Sequence, residues 1–104
     1  MTPERDILAA VLIAVTALPG GMFIRQNTGV AVTAEGRRIR FGRKGQGDIV
    51  GCYQGRFVAI ETKTEKGRLS KDQRNYRDAV LAAQGVYILA RDVEFVINRL
   101  ADLN

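Results

Sequence analysis

The longest apolar run of the chain lies near its N-terminus. Residues 7 to 18 contain a single polar side chain, Thr16. Thr2-Pro3 ahead of the run suits an N-cap followed by a first helical residue, and Pro19-Gly20-Gly21 suits a helix end. The pattern therefore predicts a first helix that runs to about residue 18. Because apolar residues cover almost its whole circumference, we expect more than one face to be buried, with one face available as a subunit interface.

The next apolar positions have the spacing of β-strands. Met22 to Thr33 and Arg38 to Phe41 are predicted to be two strands around a turn at Glu35-Gly36. In the second of these strands apolar residues alternate with arginines, so one face should be apolar and the other basic.

Two further strands are predicted from Asp48 to Tyr53 and from Arg56 to Lys63. Gln54-Gly55 between them suits a two-residue hairpin loop, because glycine tolerates positive φ. Cys52 lies in the first of these strands and is expected to be a small buried apolar residue.

The last third of the chain alternates between helix and strand. Ser70 begins a helix to about Gln84 that Gly85 closes, Val86 to Ala90 form a strand, and Asp92 starts a final helix. The whole pattern predicts one α/β (α+β) domain over residues 1–104. Its core should have the order α-β-β-β-α-β-α, with a mixed sheet flanked by helices.

Composition narrows the chemistry that this domain can perform. The chain has no histidine and one cysteine, so a zinc site of the usual kind cannot be assembled. Any metal would need oxygen ligands, which favours Mg²⁺ or Mn²⁺. The first apolar run is too short to span a bilayer, and Glu4-Arg5-Asp6 ahead of it lacks the positive bias of a signal peptide. We therefore expect a cytoplasmic protein that does not associate with membranes.

The positive charge is concentrated in the middle of the sequence. The net charge is +5, and residues 25 to 77 hold 13 Lys/Arg against five Asp/Glu. Arginine is the commoner base, and it suits bidentate contact with phosphate. A polyanionic partner is the natural interpretation, although a basic composition also serves simply to keep a small protein soluble.

The predicted hairpin brings two carboxylates together. With a plain two-residue loop, Asp48 pairs with Glu61, and their Cβ atoms would be roughly 5 Å apart. Such like charges destabilise a fold unless something neutralises them, as a divalent cation would. Lys63 points to the same face as Glu61. A metal, its carboxylates and a nearby cation are what phosphodiester hydrolysis requires, although a salt-bridged and solvated strand end would show the same residues.

Other positions are candidates for the same site. Ser70 and Gln73 have the pattern of a capping box, yet the helical spacing of Gln73 with Tyr76 directs it toward the sheet and the carboxylates. Glu4 falls in the first helical turn, where the helix dipole favours an acid. The glycine-rich segment 42–47 is expected to be a mobile basic loop near the substrate. The basic residues expected to contact phosphate are Arg25, Arg38, Arg40, Arg43, Lys44, Lys66, Arg68, Lys71, Arg74 and Arg77.

Several segments taken together match a known pattern. They are Phe23 to Gly29, Gly45-Gln46-Gly47-Asp48, Ile60-Glu61-Thr62-Lys63, the run from Lys66 to Gln73, Tyr76, and Gly85-Val86-Tyr87. With these segments the chain resembles the VRR-NUC domain, the virus-type replication-repair nuclease branch of the PD-(D/E)xK superfamily. The resemblance covers about residues 4 to 90.

The resemblance implies a restriction-endonuclease-like core and dependence on Mg²⁺ or Mn²⁺. It implies that Asp48 and Glu61 bind the metal, that Lys63 assists hydrolysis, and that Gln73 belongs to the active site. Glu4 matches an acid that the family often carries on its first helix. The Phe23 to Gly29 segment adds Asn27 to the expected DNA-binding residues.

Stand-alone members of this family are similar to Holliday-junction resolvases, so the resemblance implies a homodimeric endonuclease for branched DNA in a bacterial or phage-infected cell. The chain departs from the family at Gly47, where most members have Pro or Ser, and glycine is expected to cost rigidity there. It also reads Arg-Gln-Asn at residues 25–27, where Arg-Asn-Asn is expected. A non-catalytic DNA-binding module, or an accessory protein of a phage replication or packaging assembly, is the alternative.

Overall fold

The computed structural model describes residues 2–27 and 29–103, and the side chains of Arg40 and Phe41 lie outside that description. Within these residues, three helices and six strands follow one another. They are α1 (Glu4–Thr16), β1 (Gly21–Arg25), β2 (Gly29–Val32), β3 (Arg38–Phe41), β4 (Ile49–Tyr53), β5 (Arg56–Thr62), α2 (Lys71–Ala82), β6 (Val86–Ala90) and α3 (Val93–Ala101).

The main sheet has the strand order β1-β4-β5-β6. Its first three strands are antiparallel, and β6 joins β5 in parallel after the α2 crossover. Helices α1 and α3 pack on one face of the sheet in the larger hydrophobic core, and α2 packs on the other face over Val50 and Ala59. The mixed sheet flanked by helices is the α+β architecture that the sequence predicts. The predicted order α-β-β-β-α-β-α describes the helices and the strands of the main sheet, because β2 and β3 form a second sheet outside it.

The segment from Met22 to Thr33 was predicted to be one strand, but it contains two. The chain leaves the main sheet after Arg25, and β2 pairs instead with β3 in a separate two-stranded sheet. Strands of different sheets share the same two-residue period, so the apolar pattern alone does not show where the chain changes its partner. The β2–β3 hairpin is thus an insertion between the first two strands of the core.

Helix α1 begins one residue later than predicted. Its N-cap is Pro3, not Thr2, and no side chain of residues 2–27 or 29–103 caps the helix. The Pro3 carbonyl accepts the first backbone hydrogen bonds, from Asp6 and Ile7. The buried residues of α1, Ile7, Val11 and Val15, form one stripe that packs on β1 and α3, so the expectation that more than one face is buried within the chain is wrong. Ile13 is left on its outer side with 71% of its surface exposed.

The loop between β4 and β5 is the two-residue turn that the sequence predicts. Gln54 and Gly55 both have positive φ, at 51° and 81°, as a type I′ turn requires. The turn sets a register that runs from Tyr53 opposite Arg56 to Ile49 opposite Ile60.

The prediction that Cys52 is buried is wrong, because Cys52 is exposed. It pairs across the ladder with Met22, which is 71% exposed. Helix α2 packs on β6 and over Val50 and Ala59, and Cys52 and Met22 stay exposed further along the same face. Over residues 2–27 and 29–103, no helix has the length and apolar character needed to cross a membrane.

Candidate active site at the β4–β5 strand ends

The segment before Asp48 is held against the rest of the fold. Gly45 has φ +74°, and a Cβ there would lie 2.1 Å from the Asp72 backbone oxygen, so only glycine lets the segment lie against the start of α2. The Gln46 side chain closes the loop by accepting from the Arg43 N–H, and it donates to the Asn27 carbonyl. Residues 42–47, predicted as a mobile loop, are thus attached to both neighbouring segments.

Gly47 lies directly against strand β5. It is buried, and a Cβ there would be 3.2 Å from the Ile60 carbonyl oxygen and 3.4 Å from the Ala59 Cβ. A side chain here would therefore require Gly47 or β5 to shift by a few tenths of an ångström at the position just before Asp48. The close approach gives glycine a packing role at this position.

The Asp48 carboxylate is anchored at the end of β5. Asp48 stands one residue before β4, and its carbonyl accepts from the Gln26 N–H at 2.8 Å, which continues the pairing with β1. Its Oδ2 accepts from both the backbone N–H and the hydroxyl of Thr62, each at 2.8 Å. Oδ1 takes part in neither bond. The predicted register brings Asp48 to Glu61, but the partner that orients its carboxylate is Thr62.

Glu61 is a buried acid whose carboxylate is not fully satisfied. It is 2% exposed, and within the described part of the chain its Oε1 is buried without a hydrogen-bond partner. Burial, followed by hydrogen bonding to Asp48 and the charge of Asp48, raises the pKa of Glu61 to about 9. Without a cation, Glu61 is therefore protonated at neutral pH. The carboxyl groups of Asp48 and Glu61 are neighbours, as the hairpin register predicts.

Two predicted site residues act on Glu61 through their charges. Lys63 follows β5, where its N–H donates to the Ala90 carbonyl at 2.9 Å, and its ammonium lowers the pKa of Glu61. Glu4, in the first turn of α1, raises that pKa through the smallest of the contributions. The structure thus brings both side chains into the electrostatic surroundings of the carboxyl pair.

Gln73 occupies the capping position that the sequence predicts. Its Oε1 accepts from the Ser70 N–H at 2.8 Å, and its own N–H donates to the Ser70 hydroxyl at 3.2 Å, which completes the capping box. This role uses the carbonyl end of the side chain. The role in the active site that the resemblance implies stays a prediction.

The two carboxylates suit a hard divalent cation. Mg²⁺ commonly takes one or two carboxylates from a protein and fills its remaining positions with water and substrate phosphate. The unpartnered Glu61 Oε1 and the neighbouring Asp48 carboxylate supply such oxygens. Among the described residues no group of three His, Cys, Asp or Glu side chains is placed to hold a metal. A cation here would therefore rely on Asp48 and Glu61.

Arg91 was not predicted from the sequence to belong near the site. It follows β6, and its guanidinium donates to the carbonyls of Thr64, Glu65 and Gly67. Gly67 in turn lies against the Lys63 side chain, since a Cβ there would be 3.3 Å from the Lys63 Cβ and Cδ. Arg91 thus fixes the loop that packs on Lys63. The parallel pairing of β5 and β6 is the signal that would have placed Arg91 beside Lys63.

The predicted phosphate contacts lie on three parts of the structure. Arg25 ends β1 and Asn27 lies two residues beyond it, and Arg43 and Lys44 precede Asp48. The Arg43 guanidinium lies 5.6 Å from the Tyr76 ring centroid, and the Lys44 ammonium is 3.8 Å from the Asp72 carboxylate. The loop after β5 and helix α2 carry Lys66, Arg68, Lys71, Arg74 and Arg77. The third part is the β2–β3 hairpin, with Arg38 exposed and the Arg40 side chain outside the described residues.

Two of the arginines on α2 have partners within the chain. Arg74 donates to the Leu69 carbonyl at 2.9 Å, and Arg77 is half-buried and bonds Asp78 at 3.0 Å. The remaining bases on this loop and helix, Lys66, Arg68 and Lys71, are exposed. These three residues are the better placed to meet a polyanion without first breaking a hydrogen bond.

No protein-family model matches this sequence, and the curated proteins contain no match to it. The resemblance to the VRR-NUC domain stays a prediction, and the geometry of Asp48, Glu61 and Lys63 is the basis for a functional proposal.

Proposed function

We propose that this protein is a metal-dependent endonuclease that hydrolyses phosphodiester bonds of DNA. The observation that supports this proposal best is the buried Glu61 carboxyl, with its unpartnered Oε1, beside the Asp48 carboxyl and the Lys63 ammonium. A fold gains no stability from burying an acid next to another acid. A bound Mg²⁺ or Mn²⁺ would offset that cost.

Each side chain has a definable task in this proposal. Asp48, oriented by Thr62, and Glu61 would hold the cation, which supplies charge neutralisation and an activated water. Lys63, held by Arg91 and its loop, would stabilise negative charge that develops on the phosphate. Gln73 and Glu4 are proposed as further members of the site. The exposed bases of the loop after β5 and of α2 would contact the backbone of the DNA.

We also propose that two copies act together on branched DNA in a bacterial or phage-infected cell. One chain carries one such site, so cutting two strands of a branch requires a second copy. The exposed apolar residues of edge strand β1, Met22 at 71% and Ile24 at 56%, offer a surface for pairing in addition to the outer side of α1. The protein should then sediment as a dimer.

Cleavage of a supercoiled plasmid and of a four-way junction, with Mg²⁺ or Mn²⁺, tests the proposal. Wild type should cut, whereas Lys63→Ala and Asp48→Asn should lose at least about a hundredfold in rate, as expected for removal of groups that stabilise a transition state. Arg99→Ala, a loss of positive charge on α3 at the opposite face of the sheet, is the matched control and should cut like wild type.

The outcome also separates the alternative function. If wild type and both site variants bind DNA equally and none cuts, the protein is a binding module. If all of them cut at the same low rate, the activity is a contaminant and the assignment is wrong.

A further inference from the structure

A second buried polar atom lies near Glu61 without a partner. Among the described residues, two side-chain atoms that are fully shielded from solvent lack a hydrogen bond: Glu61 Oε1 and the hydroxyl oxygen of Tyr87. Buried polar groups are nearly always paired, so each such atom calls for an explanation. One atom is a carboxylate acceptor and the other belongs to a hydroxyl donor.

The strand register places these two residues side by side on one face. Tyr87 on β6 pairs with Ala59 on β5, and Glu61 lies two residues further along β5, on the same face as Ala59. A tyrosine is long enough to reach the diagonal neighbour across a pair of strands. This face is the one covered by α2, where Tyr87 packs with Ala59 and Tyr76.

The ring of Tyr87 is held in place by its neighbours. Its centroid is 6.5 Å from that of Tyr76, with the ring planes at 59°, and β6 is hydrogen-bonded to β5 along its whole length. Burial, and then the charge of Glu61, raises the pKa of Tyr87. The hydroxyl therefore keeps its proton at working pH, and it is close enough to Glu61 to sense that residue's charge.

We propose that Tyr87 is a positioning residue of the site, whose hydroxyl donates a hydrogen bond to the Glu61 carboxylate when that carboxylate binds a divalent cation. The inference builds on the proposed function, because it assigns Glu61 to a cation. Carboxylates that bind metals are usually oriented by such second partners, and removal of one typically weakens metal affinity by about 10- to 100-fold. Thr62 provides this support for Asp48, and Tyr87 provides it for Glu61.

Tyr87→Phe is the direct test, because it removes only the hydroxyl oxygen. Free Mn²⁺ is followed by electron paramagnetic resonance while the full-length protein is titrated, which gives a Kd for Mn²⁺ that does not depend on catalysis. The Kd should rise at least about 10-fold in the variant. The metal-free variant should melt at the same temperature as wild type or higher, since it buries one unsatisfied hydroxyl fewer.

Tyr53→Phe is the matched control. Tyr53 is at the other end of β4, beside the hairpin turn, and packs in the core on the opposite face of the sheet. Removing its hydroxyl should leave the Kd for Mn²⁺ unchanged, even where it changes the melting temperature.

The outcomes distinguish the inference from the function on which it builds. If wild type and Tyr87→Phe bind Mn²⁺ with the same Kd, the proposed role of Tyr87 is wrong and the proposed function still stands. Wild type that binds no Mn²⁺ would overturn both. A Tyr87→Phe protein with a much lower melting temperature would show that the hydroxyl stabilises the metal-free fold, contrary to its unpartnered state.

Discussion

Replacing Glu61 by glutamine should remove a pH dependence of stability that the metal-free protein owes to one carboxyl group. The pKa of Glu61 is raised from 4.5 to about 9 in the fold, chiefly by burial. The folded protein therefore keeps a proton that the unfolded chain releases. This contribution to stability is fully present below pH 4.5, falls as the pH rises, and is lost once the pH passes about 9.

The size of the effect follows from the titration of a single proton. Where the folded state holds one proton more than the unfolded chain, the free energy of unfolding falls by about 1.4 kcal/mol per pH unit. Between pH 5 and pH 8 this amounts to at most about 4 kcal/mol, and water entering the site would reduce it. Glu61→Gln stays neutral throughout, so it should be about as stable as wild type at pH 5 and clearly more stable at pH 8.

Urea denaturation followed by circular dichroism, in EDTA at several pH values from 5 to 8, measures this difference. Glu35→Gln changes an exposed glutamate in the β2–β3 turn and serves as the control, whose stability should follow that of wild type. If the curves of wild type and Glu61→Gln run parallel over the whole range, Glu61 is ionised in the metal-free fold and the reasoning is refuted.

Two further substitutions test how the site is held. Thr62→Val keeps the side-chain shape but removes one of the two hydrogen bonds to the Asp48 carboxylate. Urea denaturation should show that the free energy of unfolding falls by about 1–3 kcal/mol. Unchanged stability would mean that this bond is not formed in solution. Gly45→Ala should cost more than the roughly 1–2 kcal/mol expected for a left-handed alanine alone, because its Cβ would also meet the start of α2. Gly36→Ala, with φ +82° and open space around it, measures the conformational part. Equal losses at both glycines would contradict the packing of residues 42–47 on α2.

The sequence predicted the parts of the site that depend on local rules. A two-residue loop with positive φ at both positions leaves one register for β4 and β5, and a slip by one residue would turn every apolar side chain to the wrong face. That register is enough to bring Asp48 to Glu61. The capping box at Ser70 is equally local, because its two hydrogen bonds join residues three apart.

The parts that were missed depend on contacts between distant segments. Tyr87 and Arg91 lie near Glu61 and Lys63 because β6 pairs in parallel with β5. The two strands are separated in sequence by α2, so local patterns do not reveal their register. The contact of Thr62 with the Asp48 carboxylate was also not predicted, because it forms beyond the last paired residues of β4 and β5, Ile49 and Ile60. The change of strand partner after Arg25 likewise leaves no mark in the apolar pattern.

Glu61 is the position at which this chain departs furthest from the rules of stable packing. Its neighbours on the covered face of the sheet, Ala59 and Val50, are apolar, so an aliphatic residue at 61 would avoid the cost of desolvating a carboxyl group. Instead the fold places Asp48 against it, and that charge raises the pKa of Glu61 further. Departures of this kind are expected where function requires them. A surface that only binds DNA gains nothing from two neighbouring acids, since any negative charge on them repels phosphates. A site that binds a cation needs this acid. Such a site also accounts for Lys63, whose ammonium lowers the pKa of Glu61.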